Sequence, residues 1–502
     1  MRLLLTLSLL SFSAFGAITA NTQWEVRTTG ASTNGGGFDA TIAGAGTDMS
    51  VYDNRNASGC TSCQSTTANL SVLNATTSTG TTVTSATASF TSALVGNVVY
   101  LALGGGSCNS GTVTASWRLV TSVTNSTTME IDSTPTGSGN TCTGVTLNIG
   151  GALDLPSRPP YAPGNTIWVK ATANYATALS AFSSTAGTET AHVKLYGYNA
   201  TRGDNGKAVI QIPNNFGTGI NITAANIDVA NFSIDCNSKT SSTGMTFGAA
   251  NSTAENLYIY GGCSSNGLNF TGARSVLKNV YVTGVTSAAT AAIYMNGPST
   301  SSPQLCLGCV AVGNSTIGIH LSNTASVRIV LNSIAANNSG ATTDGIKDMA
   351  TTAHTVVIAN TALYGNGQHG LNYTAASGPT GLSFFNNIVY GNTGYGINSG
   401  TADYSGTKMD IHDNRFYSAG SGERYQFPIG VGDATLTADP FTNAAGGDFS
   451  LNNVAGGGAA CRGVGYPGGL GYGGTNYSDI GPLQVQLTSG GSGGQKGYGT
   501  IQ

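Results

Sequence analysis

Charge is scarce in this chain: only 8% of its 502 residues are Asp, Glu, Lys or Arg, against about 25% in an average soluble protein. The places where titratable side chains gather are therefore informative. His320, Asp344, Lys347, Asp348 and His369 fall close together in the sequence. A base that removes a proton, and an acid that returns one to a leaving oxygen, are the minimum for elimination or hydrolysis at a glycosidic bond. Lys347 or His320 is the candidate base, and His369, oriented by Asp344, is the candidate acid. Tyr294, Asn372 and Asn398 are candidate substrate contacts. The paired carboxylates of a glycosidase are not evident. A second group, Asp410, His412, Asp413 and Arg415, suits capping or ion pairing. No compact His/Asp ligand motif calls for a metal, and no cofactor is expected.

These residues belong to a repeat. Between Asn231 and Tyr417 the chain repeats itself about every 26 residues. The anchors are Asn231, Asn256, Asn279, Gly308, Asn332, Asn360, Asn386 and Asp413, at intervals of 23 to 29. Ten to thirteen residues after each of the first seven comes a Gly and an apolar residue: Gly244-Met245, Gly267-Leu268, Gly318-Ile319, Gly345-Ile346, Gly370-Leu371 and Gly396-Ile397, with Ala292-Ile293 the one departure. A period of this length marks a solenoid. The units are rich in β-branched residues, Asn and Gly and lack a long 3.6-residue period, so the solenoid is built of strands.

Alternation within each unit predicts two rows. Met245, Leu268, Ile293, Ile319, Ile346, Leu371 and Ile397 point inward; Thr246, Asn269, Tyr294, His320, Lys347, Asn372 and Asn398 point outward. Stacked strands lie about 4.8 Å apart, which places His320 beside Lys347 and Asp344 beside His369. The Asn anchors suit turns, since Asn tolerates left-handed backbone. A second set six residues on, Asn237, Asn314, Asn338, Asn366 and Asn392, suits amide columns bonded along the stack. Tyr260, Tyr364, Tyr390 and Tyr417 lie four residues after their anchors. Tyr390 shares parity with Ile388, which predicts an internal aromatic stack.

The remainder divides by texture. Residues 1–20 read as a signal peptide, with Arg2, an apolar run from Leu3 to Phe15, and small residues at Gly16, Ala17 and Ala20. That run is too short to span a membrane, so a secreted, extracellular or cell-surface location is expected. Residues 21–60 hold a strand from Trp24 to Thr28 and a Gly-rich cap. Residues 61–155 form a small antiparallel β-domain, with strands near Thr81–Thr84, Val95–Leu103, Trp117–Thr124 and Met129–Asp132. The β-helix occupies 156–431, a closing segment 432–485, and a Gly-rich tail 486–502. A net charge of −3 with no basic run gives no footprint for nucleic acid. Nine cysteines in an exported chain predict disulfides. Cys236 and Cys263 lie about one coil apart, and Cys108 and Cys142 are placed to staple the small domain. Cys60-x-x-Cys63 and Cys306-x-x-Cys309 leave a zinc site as the alternative, and the odd count leaves Cys461 unpaired.

The units from Asn360 to Leu371 and from Asn386 to Ile397, the opening segments Pro163–Lys170 and Leu195–Asp204, and the closing Asp439-Pro440-Phe441, Gly447-Asp448-Phe449 and Asp479-Ile480-Gly481 resemble the right-handed parallel β-helix proteins of the pectate-lyase/pectin-lyase-like superfamily. The resemblance covers residues 160–485. It implies a right-handed parallel β-helix; with the small N-terminal antiparallel β-domain and the C-terminal cap read from the residues, the expected fold is all-β. Calcium-dependent lyases of that fold gather acidic residues beside a basic one, which this chain does not. Its glycosidases set Asp pairs near His-Gly and Arg-x-Lys. Here His369-Gly370 lacks the pair, and Arg328-Ile329-Val330 lacks the Lys. Three readings stand. The favoured one is an exported surface protein that binds a polysaccharide or surface glycan, or is structural or adhesive. The others are a polysaccharide lyase or glycoside hydrolase working on the outer face, and a phage tailspike or fibre-like virion protein, which would be a trimer.

Overall fold

The computed structural model describes residues 18–51, 68–135 and 141–482, apart from short internal stretches of which 375–380, 401–407 and 467–478 are the longest. The expected signal peptide (to residue 17), the Cys60/Cys63 pair and the Gly-rich tail lie outside the described residues. The chain separates into two compact units, one ending at Val169 and one beginning at Lys170.

The first unit contains a closed antiparallel barrel. Its strands run, in spatial order, Leu70–Thr77, Thr82–Thr84, Thr128–Ile131, Ser116–Asn125, Val98–Leu103 and Cys142–Ile149. Val83, Leu101, Val120, Met129 and Leu147 fill it, and the Cys108–Cys142 disulfide closes one side. In the same unit Gln23–Val26 pairs antiparallel with Gly37–Phe38 and parallel with Thr166–Lys170. Trp24 is fully buried there, its indole donating to Asn165 Oδ1 at 3.0 Å.

The second unit is a parallel β-helix of about eight turns. One ten-stranded sheet, here the long sheet, begins at Leu179–Phe182 and ends at Gly422–Tyr425. The expected inward row is its spine: Met245, Leu268, Ile293, Ile319, Ile346, Leu371 and Ile397 are in register and fully buried. The other wall bends at every anchor. Asn231, Asn256, Asn279, Gly308, Asn332, Asn360, Asn386 and Asp413 all have positive φ, between 51° and 65°. Side chains with a Cβ resist that region and Asn tolerates it, so the anchor residue type follows from the bend. The bend divides the wall into a second sheet before it, including Val327–Leu331 and Thr355–Ala359, and a third after it, including Ile334–Ala336 and Ala362–Tyr364.

The repeat's Asn and Gly are coupled by packing. Asn314, Asn338, Asn366 and Asn392 form a buried column, with side-chain amide bonds of 3.0, 2.8 and 2.9 Å between coils. A Cβ on Gly345 would lie 2.7 Å from Asn366 Nδ2, and one on Gly318 2.8 Å from Asn338 Nδ2. The glycine clears the space that the amide fills. A second column, not foreseen, follows the bend: Ser333, Asn387 and Asn414 each accept an N–H from the coil before, Thr361 donating its own N–H to Asn387, and the column ends on Asp433. The Ser333 link is its first, through Cys309 N–H.

The tyrosine column is present, with Tyr364–Tyr390 and Tyr390–Tyr417 centroids 4.9 and 5.0 Å apart, but it does not line the interior. Val389 and Leu363 point inward, and Ile388 and Tyr390 point out, beneath Leu436, Phe441, Phe449 and Ile480 of the closing segment. Parity was right and the covering layer was not visible to it. The closing segment adds Ala434–Thr435 to the last coil and then folds back along the third sheet. Cys236–Cys263 and Cys306–Cys309 are disulfides, and Cys461 is a free, buried thiol. The Cys306/Cys309 pair is thereby unavailable to zinc.

Candidate functional site on the long sheet

The outward row is built as the alternation predicts. Thr246, Asn269, Tyr294, His320, Lys347, Asn372 and Asn398 are register partners, one per coil. Tyr294 and His320 pack ring to ring at 5.0 Å, and the Tyr294 hydroxyl donates to Ser322 Oγ at 3.1 Å. Burial pushes the His320 imidazole down to about 4, with help from the Lys347 charge. It is therefore neutral near pH 7. Its Nε2 is buried and has no hydrogen-bond partner among the described residues.

Lys347 Nζ lies 3.8 Å from Asp344 Oδ2. Asp344 is fully buried, and burial pushes its carboxyl up to about 6. It accepts the His369 backbone N–H at 3.1 Å and the Asn372 amide at 2.9 Å. The expected orientation of the His369 imidazole by Asp344 is not made. His369 Nδ1 instead accepts the Tyr395 backbone N–H at 2.9 Å. Four coils earlier Asn266 does the same for the Ala291 N–H. The reason is positional: this row precedes the first N–H of the next coil's strand, and any acceptor standing there reaches that N–H. Burial also lowers the His369 pKa. Its ring stacks on Tyr395 at 5.8 Å, and Tyr395 lies 5.0 Å from Tyr425. Asn398 donates to Asn372 Oδ1 at 3.1 Å.

Behind the row lies a polar group that the sequence reading did not assemble. Asp348 shares its inward register row with Phe247, Phe270, Met295 and Leu321. It meets His354 Nε2 at 2.6 Å, both side chains fully buried. Arg328, also buried, donates through Nη2 to the Ser322 carbonyl. Inward parity marked Asp348; nothing local marked His354 or Arg328 as its neighbours. Arg328 and Tyr294 together hold Ser322, at the end of the strand that carries His320. Elsewhere, His412 contacts Asp413 at 3.0 Å, while Arg415 donates to the Gly432 carbonyl at 2.7 Å and so ties down the closing turn. Among the described residues no group of three or more His, Cys, Asp and Glu side chains converges to hold a metal ion.

No protein-family model matches the sequence, and no curated protein matches it. Solved structures do match. Pectate lyase Pel9A aligns at 16% identity over 65% of this chain and 89% of its own, with a TM-score of 0.52. An alginate lyase from Paenibacillus sp. str. FPU-7 aligns at 15% identity over 56% and 94%, TM-score 0.39. The catalytic domain of a GH87 alpha-1,3-glucanase aligns at 11% over 74% and 89%, TM-score 0.26. The first likeness identifies the fold as a pectate-lyase-like parallel β-helix.

Proposed function

We propose that the protein binds polysaccharide along the outer face of the long sheet. The observation that carries this reading is the unbroken outward row from Thr246 to Asn398, which passes through hydroxyl, amide, phenol, imidazole and ammonium without one aliphatic residue. Rings offer apolar faces with a polar edge, which suits sugars, and Tyr294, Tyr395 and Tyr425 supply them. Lys347 and the Asn398 amide add donors. The coil spacing of about 4.8 Å sets these groups at a step comparable to one sugar ring. The fold likeness to pectate lyase Pel9A agrees with a carbohydrate partner but does not name it.

An exported location is part of this reading. Three disulfides in the described chain favour an oxidising compartment. Among the described residues no helix is long and apolar enough to cross a membrane. Amino-terminal sequencing of protein recovered from the medium should find a start just after Gly16, Ala17 or Ala20.

The binding test is retention on immobilised polygalacturonate, alginate, xylan and glucan. Wild type should be retained on at least one, and Tyr294→Ala and Lys347→Ala should each weaken retention about tenfold, the usual size of a central contact. Retention on none of the four would sink the reading. A second reading has one observation in its favour: a neutral His320 beside the Lys347 ammonium is a free base next to a cation, as a lyase requires. It predicts unsaturated uronate product with wild type and none with His320→Gln.

A further inference from the structure

A hollow of about 340 Å³ opens on the outer side of the second sheet, away from the long sheet, lined by residues that include Glu189, His192, Thr253, Arg274 and Val276. Its side chains come from separate coils. His192 Nδ1 meets Asp228 Oδ2 at 3.0 Å, and Asp228 Oδ1 accepts the Thr253 backbone N–H at 3.0 Å. The carboxylate is thus fixed by the sheet and in turn fixes the imidazole, leaving Nε2 to meet a ligand. On the rim Arg274 and Glu189 approach only to 4.0 Å, and each is more than half exposed.

The fold does not ask for these groups. Thr253 and Val276 share a register row that continues as Leu305, Ile329 and Val357. The three coils after Val276 stack without charge there, and charge returns only at Asp410 near the end of the row. Exposed ion pairs at such a distance contribute little stability. In a chain with so few charges, a fixed His–Asp pair facing an Arg and a Glu across an open hollow is better explained by a ligand than by folding.

We propose that this hollow is a second binding site, for an uncharged polyhydroxy ligand, that is, a neutral pyranoside. Arg274 and Lys194, the register partner of Asp228, are matched by the two carboxylates of Asp228 and Glu189, which leaves no excess positive charge to attract an acidic sugar. Donors (Arg274, Thr253) and acceptors (Glu189, the second imidazole nitrogen) line the same hollow, which is what hydroxyl groups need because each gives and accepts. Val276 supplies an apolar patch for a ring face. This proposal is independent of the long-sheet reading, because it uses none of the same residues.

The test uses the full chain and the imidazole proton signals of its five histidines. The His192 signal is assigned by its loss in His192→Gln. Probes are cellohexaose, mannohexaose, xylohexaose and hexagalacturonate. The His192 signal should shift saturably with at least one neutral probe, and more weakly with hexagalacturonate. Asp228→Asn and Arg274→Asn should each weaken that binding about tenfold. Arg274 has a φ of 53°, which Asn tolerates, so the Arg274→Asn melting temperature should match wild type. Lys347→Ala should leave the His192 shift intact. A His192 signal that no neutral probe moves, tighter binding of hexagalacturonate, or Arg274→Asn binding like wild type would each overturn the proposal. Movement of the His320 and His369 signals without His192 would overturn it while supporting the long-sheet reading.

Discussion

Asparagine recurs on two faces of the same coils and does different work on each. In the buried column Asn314, Asn338, Asn366 and Asn392 are at most 1% exposed. Each link repeats the one before: the Oδ1 of one coil accepts both the backbone N–H and the side-chain amide of the coil before it. On the outer row Asn269, Asn372 and Asn398 are interrupted by Tyr294, His320 and Lys347, and only Asn372 and Asn398 bond to each other. A buried amide must find its partners within the protein or cost the stack dearly. A half-buried amide such as Asn398 has water as an alternative, whereas Asn372, 5% exposed, is held by Asp344 and Asn398. The inner column is therefore held to one residue type, and the outer row is free to vary. That variety is what a recognition surface requires and a structural ladder does not.

The inner column should break hardest. Asn366→Ala strands the Asn338 amide and backbone N–H and the Ala335 carbonyl, all of which Asn366 now satisfies. At about 1–3 kcal/mol per buried unsatisfied group, the loss should reach about 3 kcal/mol or more by urea unfolding. Unfolding indistinguishable from wild type would mean that water enters the column and that the contrast with the outer row is false.

Asp344 stands where the two regions meet, buried yet bonded to Asn372 of the outer row. Its carboxyl is raised from an ordinary 3.8 to about 6 in the folded chain, by burial above all. The sign follows: the folded state holds the proton more tightly, so this group's stabilising contribution is complete below pH 3.8 and lost as pH rises through about 6. Wild type should lose on the order of 2 kcal/mol relative to Asp344→Asn between those limits. If wild type instead gains on that rise, Lys347 and the two hydrogen bonds outweigh burial, and Asp344 belongs with the outer row.

A smaller effect separates backbone from side chain at the bend. Asn360 has a φ of 51°, and its Oδ1 is buried without a hydrogen-bond partner among the described residues. The residue is there for its conformation, so Asn360→Gly should be nearly neutral, whereas Asn360→Ala should cost about 1–2 kcal/mol. Equal losses in thermal unfolding would assign the role to the amide.

These rows were legible because the solenoid states them repeatedly. The Gly-apolar step, and the Asn six residues after five of the eight bends, recur at nearly constant offset, so parity and register could be read without a structure. Other features lacked that repetition. The second column changes type from Ser333 to Thr361 to Asn387, sharing only an acceptor atom. His192 precedes the first anchor, Asn231, so no register connected it to Asp228. In the barrel, Leu70–Thr77 and Cys142–Ile149 carry Ser, Thr and Asn between their apolar residues, and the low contrast hid the two strands that close it. The Tyr364–Tyr417 column showed its parity but not the segment that covers it, because that contact joins residues far apart in sequence.

The smallest stability change sharpens the comparison most. Asn398 is half-buried; its amide donates to Asn372 Oδ1, and its own Oδ1 accepts the Gly400 N–H at 3.1 Å. Water can replace either partner at that depth, so Asn398→Ala should cost no more than about 1 kcal/mol. If the outer row is a recognition surface, the same change should lower glycan retention by about tenfold, a loss that folding cannot account for. The two columns then separate on two axes: Asn366→Ala moves stability, and Asn398→Ala moves binding. A result in which Asn398→Ala costs as much stability as Asn366→Ala and leaves retention unchanged would make the outer row a second ladder, and the polysaccharide-binding face would have to be sought elsewhere on the solenoid.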